Sequence, residues 1–125
     1  MINLDGMKEE DIVKLAELLK ENNWMYKYID GEQITVNPIV EKIIQLAKVY
    51  KNPYEIKNIE NPSEEVKLEA VKQNGWTIQF IKNPTEEMKL IGVRDNGYNI
   101  KHIENPSEEV KLEAVKQNGW TIQFI

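Results

Sequence analysis

Residues 59–81 and 103–125 are the same 23 amino acids, and a third, looser copy lies between them. A short fixed period constrains a chain strongly. A unit this small cannot enclose its own core, so its apolar side must be covered by the next unit. The repeat is 22 residues long, with copies at 60–81, 82–103 and 104–125. The first two agree at 11 of 22 positions, among them Asn61/Asn83, Pro62/Pro84, Lys67/Lys89, Leu68/Leu90, Asn74/Asn96 and Gly75/Gly97. A degenerate unit occupies 37–59, where Leu46, Val49, Asn52, Tyr54, Ile56 and Ile59 stand in the places of Leu68, Val71, Asn74, Trp76, Ile78 and Ile81.

Each unit reads as two helices. Asn61 is predicted to cap the first, with Pro62 at its first position and Glu64 at its third, where a carboxylate meets the positive end of the helix dipole. The helix should reach Gln73 and stop at Asn74-Gly75, the glycine adopting a left-handed conformation. Trp76–Ile81 then forms a second, short helix that only tertiary packing can hold. Val66, Leu68, Ala70 and Val71 span a wide arc, as a layer covered on two flanks requires. Lys67 falls inside that arc, so its stem should lie along the surface with the ammonium in water.

Ahead of the repeats, residues 1–36 predict an amphipathic helix over Met7–Asn22, with Ile12, Leu15, Ala16 and Leu19 on one side. Two readings of the next segment compete. Met25–Ile29 and Glu32–Val36 alternate around Asp30-Gly31, the pattern of a β-hairpin with a type I′ turn. The repeat alignment instead makes Trp24–Ile29 a short helix. The hairpin is favoured. Asn37-Pro38 then opens a helix over Ile39–Lys51. The fold class expected is mainly α: a short helical-hairpin repeat solenoid behind a helical N-terminal segment that contains a β-hairpin.

Chemistry is sparse. There is no cysteine and one histidine, His102, which leaves too few ligands for zinc. His102 could serve a hydrolase triad, but it fills the slot held by Phe80 and Phe124, which marks a variable position, exposed or half-buried. The pairs Glu64-Glu65, Glu86-Glu87 and Glu108-Glu109 recur at every helix start, and adjacent helical residues point about 100° apart; electrostatics at the helix start explains them better than acid–base catalysis. Phosphate-binding glycine loops and calcium loops are missing. No catalytic, cofactor-binding or metal residues are expected.

The net charge is −5, spread over both halves, with no basic stripe. Direct nucleic-acid binding is therefore disfavoured. No stretch is apolar enough for a membrane span and no secretory pattern opens the chain, so a cytoplasmic protein is expected.

Trp24, Tyr54, Trp76, Tyr98 and Trp120 occupy equivalent positions, which predicts an aromatic core between units; a ladder for stacking bases is the alternative. The slot four residues on varies, as Tyr28, Asn58, Phe80, His102 and Phe124. Ile91 likewise breaks pattern, being apolar where Glu69 and Glu113 are charged. These six variable positions, from Tyr28 to Phe124, are the candidate partner-binding residues. The last unit ends at Ile125 without a polar cap, leaving Leu112, Val115, Trp120 and Phe124 open to a partner or to a second copy.

The unit Asn-Pro-Ser-Glu-Glu-Val-Lys-Leu-Glu-Ala-Val-Lys-Gln-Asn-Gly-Trp-Thr-Ile-Gln-Phe-Ile resembles a short tandem-repeat family of unknown function found in bacterial and bacteriophage proteins. The resemblance covers 60–125, about half of the chain, and brings no activity with it. It implies a setting among phages and mobile elements, where small acidic proteins block host defence, CRISPR systems included. The function expected is non-catalytic protein binding. The partner would be a host defence effector or nucleoprotein. The rivals are single-stranded nucleic-acid binding along the aromatic ladder and self-assembly through the last repeat.

Overall fold

Three apolar residues at helical spacing, Ile12, Ala16 and Leu19, are buried on one side of α1 (Glu9–Glu21). Glu9, Glu10 and Asp11 occupy its first turn and Lys20 its last, which complements the dipole. The computed structural model describes residues 6–21, 26–29, 32–35 and 38–125, and it divides into two compact units, Met1–Asn52 and Pro53–Ile125. Most of the described chain is helical.

In the first unit α1 packs against α2 (Pro38–Lys51), which buries Val40, Ile43, Ile44, Leu46, Ala47 and Val49. An exposed ion pair between Lys51 and Glu17, at 3.2 Å, joins the two helices. Between them, β1 (Tyr26–Ile29) and β2 (Glu32–Thr35) pair antiparallel, with Tyr26 opposite Thr35 and Ile29 opposite Glu32. The predicted Asp30-Gly31 turn, Trp24 and the side chains of both strands lie outside the described residues.

The second unit carries the repeats. It opens with a 3-10 helix, η1 (Pro53–Asn58), so the boundary between units falls inside the degenerate repeat 37–59. Three matched pairs follow: α3 (Glu64–Gln73) with η2 (Gly75–Phe80), α4 (Glu86–Asp95) with η3 (Gly97–His102), and α5 (Glu108–Gln117) with η4 (Gly119–Phe124). Each pair forms a layer. α4 contacts its own η3, the preceding α3 and η2, and the following α5; the 3-10 helices also contact their neighbours in order. The short second helix of the repeat is thus 3-10 rather than α, closing through i→i+3 bonds such as Ile81 N–H to Ile78 O at 3.1 Å.

Two local expectations need correction. Ser63, Thr85 and Ser107, not the asparagines, cap the α-helices: each sits in extended backbone and its hydroxyl accepts from the N–H three residues on. Asn61, Asn83 and Asn105 lie two residues earlier at φ of 49°, 52° and 48°. Proline disfavours a right-handed helical conformation in the residue before it, and asparagine tolerates the left-handed one. Glu64 therefore starts the helix instead of sitting in its third position, and its carboxylate meets Lys67 Nζ at 2.9 Å.

Gly75 and Gly97 are likewise not left-handed, since Gly6 is the one described glycine with positive φ. They are needed for contact between layers. A Cβ on Gly75 would stand 2.8 Å from Asp95 Cβ and 2.9 Å from Gly92 O; on Gly97 it would stand 2.7 Å from Ala114 O. The chain turns at Asn74, Asn96 and Asn118 instead. In each, the backbone N–H ends the α-helix while the side-chain oxygen accepts from the N–H of the aromatic residue two positions on, starting the 3-10 helix.

The core runs along the array through Val66, Ala70, Val71 and Ile78, then Met88, Val93 and Ile100, then Val110 and Ala114. Full burial of such a side chain contributes roughly 1.5–3 kcal/mol. Three buried polar side chains are satisfied within the array: Thr77 and Thr121 hydroxyls donate to Asn74 O and Asn118 O at 2.8 Å, and Asn99 Nδ2 donates to Gly92 O at 2.8 Å. The large aromatics are not this core. Trp76 is 42% exposed and Trp120 76%, so the aromatic slot forms the edge of the layer interface rather than its centre.

Candidate protein-binding face

The connecting segments after η1, η2 and η3 carry the sequence Asn-Pro, and the 3-10 helices end beside them. Two grooves open on this face, with volumes of about 590 and 630 Å³. They are the same place one repeat apart. Asn61, Lys67 and Phe80 line the first; Asn83, Lys89 and His102 line the second. Ile81 and Lys82 border both.

The aromatic residues brace the walls. The Trp76 ring meets Tyr54, Phe80 and His102 edge-on, with centroids 5.5, 5.8 and 6.3 Å away. Tyr98 meets Phe124 in the same way at 6.1 Å. Asn74 Nδ2 donates to the Tyr54 hydroxyl at 3.0 Å, which ties a layer to the one before it. Lys57 Nζ stands 5.7 Å from the centre of the Phe80 ring, a cation–π distance.

The variable positions are distributed unequally. Asn58 is exposed at the end of η1; Phe80 and His102 are half-buried and line successive grooves. Phe124 holds the same slot in η4 and is exposed. Ile91 is half-buried on α4 and lines neither groove. Tyr28 lies on β1, in the first unit, and its side chain is outside the described residues.

His102 Nε2 is enclosed and has no hydrogen-bond partner. Burial, with Lys101 beside it, holds the imidazole below its ordinary value, so it is neutral at pH 7. Among the described residues no carboxylate pairs with its imidazole, and no group of three His, Cys, Asp or Glu could hold a metal. No described helix is long and apolar enough to cross a membrane.

Apart from Lys67, the charged residues of this face were not singled out by the sequence pattern. Among the described residues no carboxylate lies within ion-pairing distance of Lys57, Lys82 or Lys89. Lys67 and Lys111 pair with Glu64 and Glu108 in their own helices, whereas the equivalent Glu86 accepts from the Ser107 hydroxyl of the next layer, which leaves Lys89 unpaired. The available signal was the presence of Lys67, Lys89 and Lys111 inside an otherwise apolar arc.

Comparison with known protein families, curated proteins and solved structures found no match.

Proposed function

We propose that the chain is a non-catalytic protein-binding module, a short helical-repeat solenoid whose Asn-Pro face receives a partner. The observation that carries this reading is the pair of equivalent grooves, one layer apart and sharing Ile81 and Lys82. Repeated equivalent sites suit an elongated partner surface better than one small substrate. The variable slot at Phe80 and His102 lies in these grooves, where a change of side chain alters specificity without disturbing the layer. The resemblance to repeats of bacterial and phage proteins favours a more specific role: an inhibitor from a phage or mobile element that occupies a host defence protein, in the manner of an anti-CRISPR. Co-purification from a bacterial host lysate tests the module reading. It predicts a stoichiometric protein partner that a Phe80→Ala, His102→Ala variant retains poorly; recovery of no stoichiometric protein contradicts it.

A second reading has its own observation. Residues 103–125 repeat 59–81, yet Ile122 is 67% exposed where Ile78 is 1%, and Ile125 is 50% exposed where Ile81 is 8%. The difference is the cover that 82–103 gives the first copy. A second molecule covering Leu112, Trp120 and Ile122 would make a self-assembling protein. Sedimentation over a concentration series, with Trp120→Lys as control, distinguishes the two readings.

A further inference from the structure

The asparagines at 61, 83 and 105 carry a surplus. Their left-handed backbone explains why the position is not an ordinary residue, but glycine satisfies that geometry equally well. All three are exposed, and their side chains make no hydrogen bond among the described residues. They recur one layer apart along the two grooves, Asn61 in the first, Asn83 and Asn105 in the second. A free carboxamide presents a donor and an acceptor together, the pattern complementary to a peptide unit. The same grooves hold Lys57, Lys82 and Lys89 without carboxylate partners, against Glu60 and Glu104. They are thus locally positive on a chain whose net charge is −5.

We infer that this face binds an extended, acidic peptide segment of its partner. The backbone of that segment runs along Asn61, Asn83 and Asn105, and its carboxylates meet Lys57, Lys82 and Lys89. Ile59, Phe80 and Ile81 supply apolar wall for the side chains between. This deepens the protein-binding reading and rests on it. Nucleic acid fits less well, because the unpaired lysines are few and glutamates share their grooves, so little counterion release is gained.

The test is fluorescence anisotropy with a labelled twelve-residue peptide alternating glutamate with valine and threonine. A lysine-for-glutamate version and an oligothymidylate serve as counter-probes. The acidic peptide should bind and the counter-probes should not. The variant Asn61→Gly, Asn83→Gly, Asn105→Gly keeps the backbone conformation, so it should stay folded with a thermal midpoint within a few degrees of wild type while peptide affinity falls by about tenfold or more. Lys82→Glu should weaken binding similarly, and Lys116→Glu, exposed and outside both grooves, should not. Full affinity in the glycine variant, equal loss in both lysine variants, or preference for the oligothymidylate overturns the inference. If the acidic peptide fails to bind while the wild-type chain still retains a stoichiometric protein from lysate, this inference falls and the binding-module reading stands. If lysate yields none either, both fall.

Discussion

The backbone N–H of Gly75 donates to Asp95 Oδ2 at 2.9 Å, across the boundary between two successive layers. The bond forms because Gly75 has no side chain and the next helix can come into contact with its backbone. Gly119 occupies the same place in an identical sequence and has nothing within 4 Å of a built Cβ. The molecule therefore holds its own control for what layer packing requires.

Gly75→Ala and Gly97→Ala should each destabilise the fold by about 1–3 kcal/mol, because backbone atoms must shift to admit the methyl group. Gly119→Ala should be neutral or stabilise by up to about 1 kcal/mol, since it only restricts the unfolded chain. Urea denaturation of the three variants provides the comparison.

Ile78 and Ile122 repeat this logic for burial. Ile78→Ala removes a side chain that is 1% exposed and should cost about 2–5 kcal/mol. Ile122→Ala removes one that is 67% exposed and should stay within about 0.5 kcal/mol of wild type. Equal losses, measured by the same denaturation, would show that 82–103 does not cover the first copy.

Much of the array was legible in the sequence. The 22-residue period, the α-helix ending at Gln73 and the brief second helix all follow from recurrence, helical spacing and Asn-Gly. The cap was misplaced because Asn61 is also a good cap residue and Pro62 suits a first helical position. The decisive signal was the exchange of Ser63 for Thr85, which keeps the capping hydroxyl although the residue differs. Gly75 was misread for a deeper reason: its constraint comes from Asp95 and Gly92 in the next layer, and local sequence carries no record of that approach. The groove lysines were obscured in the same way, since whether Lys89 is paired depends on Glu86 reaching Ser107.

The capping assignment predicts a contrast between neighbours. Ser63→Ala should cost about 1 kcal/mol, as loss of the bond to Val66 N–H leaves an unsatisfied donor at the helix start. Asn61→Gly should change stability by only a few tenths of a kcal/mol, because glycine accepts φ of 49° freely. The thermal melt of Ser63→Ala checks the assignment: a midpoint unchanged from wild type would contradict Ser63 as the cap.

His102 predicts a pH dependence. Its folded value lies below the ordinary 6.5, so the unfolded chain takes up the proton first on acidification. The stability associated with the neutral imidazole is complete above about pH 6.5 and falls as pH drops towards and through the lowered folded value. Lys82, Lys89 and Glu104 line the same groove as His102. His102→Phe, the side chain of the sister layers, should therefore flatten the fall in thermal midpoint as pH drops below about 6.5.

Removal of one layer tests the account most directly. Deleting 82–103 joins Ile81 to Glu104 and reproduces the Ile59-Glu60 junction already present in the chain. Circular dichroism with thermal unfolding of the shortened protein should show the remaining helices intact, with one cooperative transition at a lower temperature, because each layer rests on its neighbours. Loss of helical signal throughout the protein, or a melt with no cooperative transition, would contradict stacked, exchangeable layers and the binding face built on them.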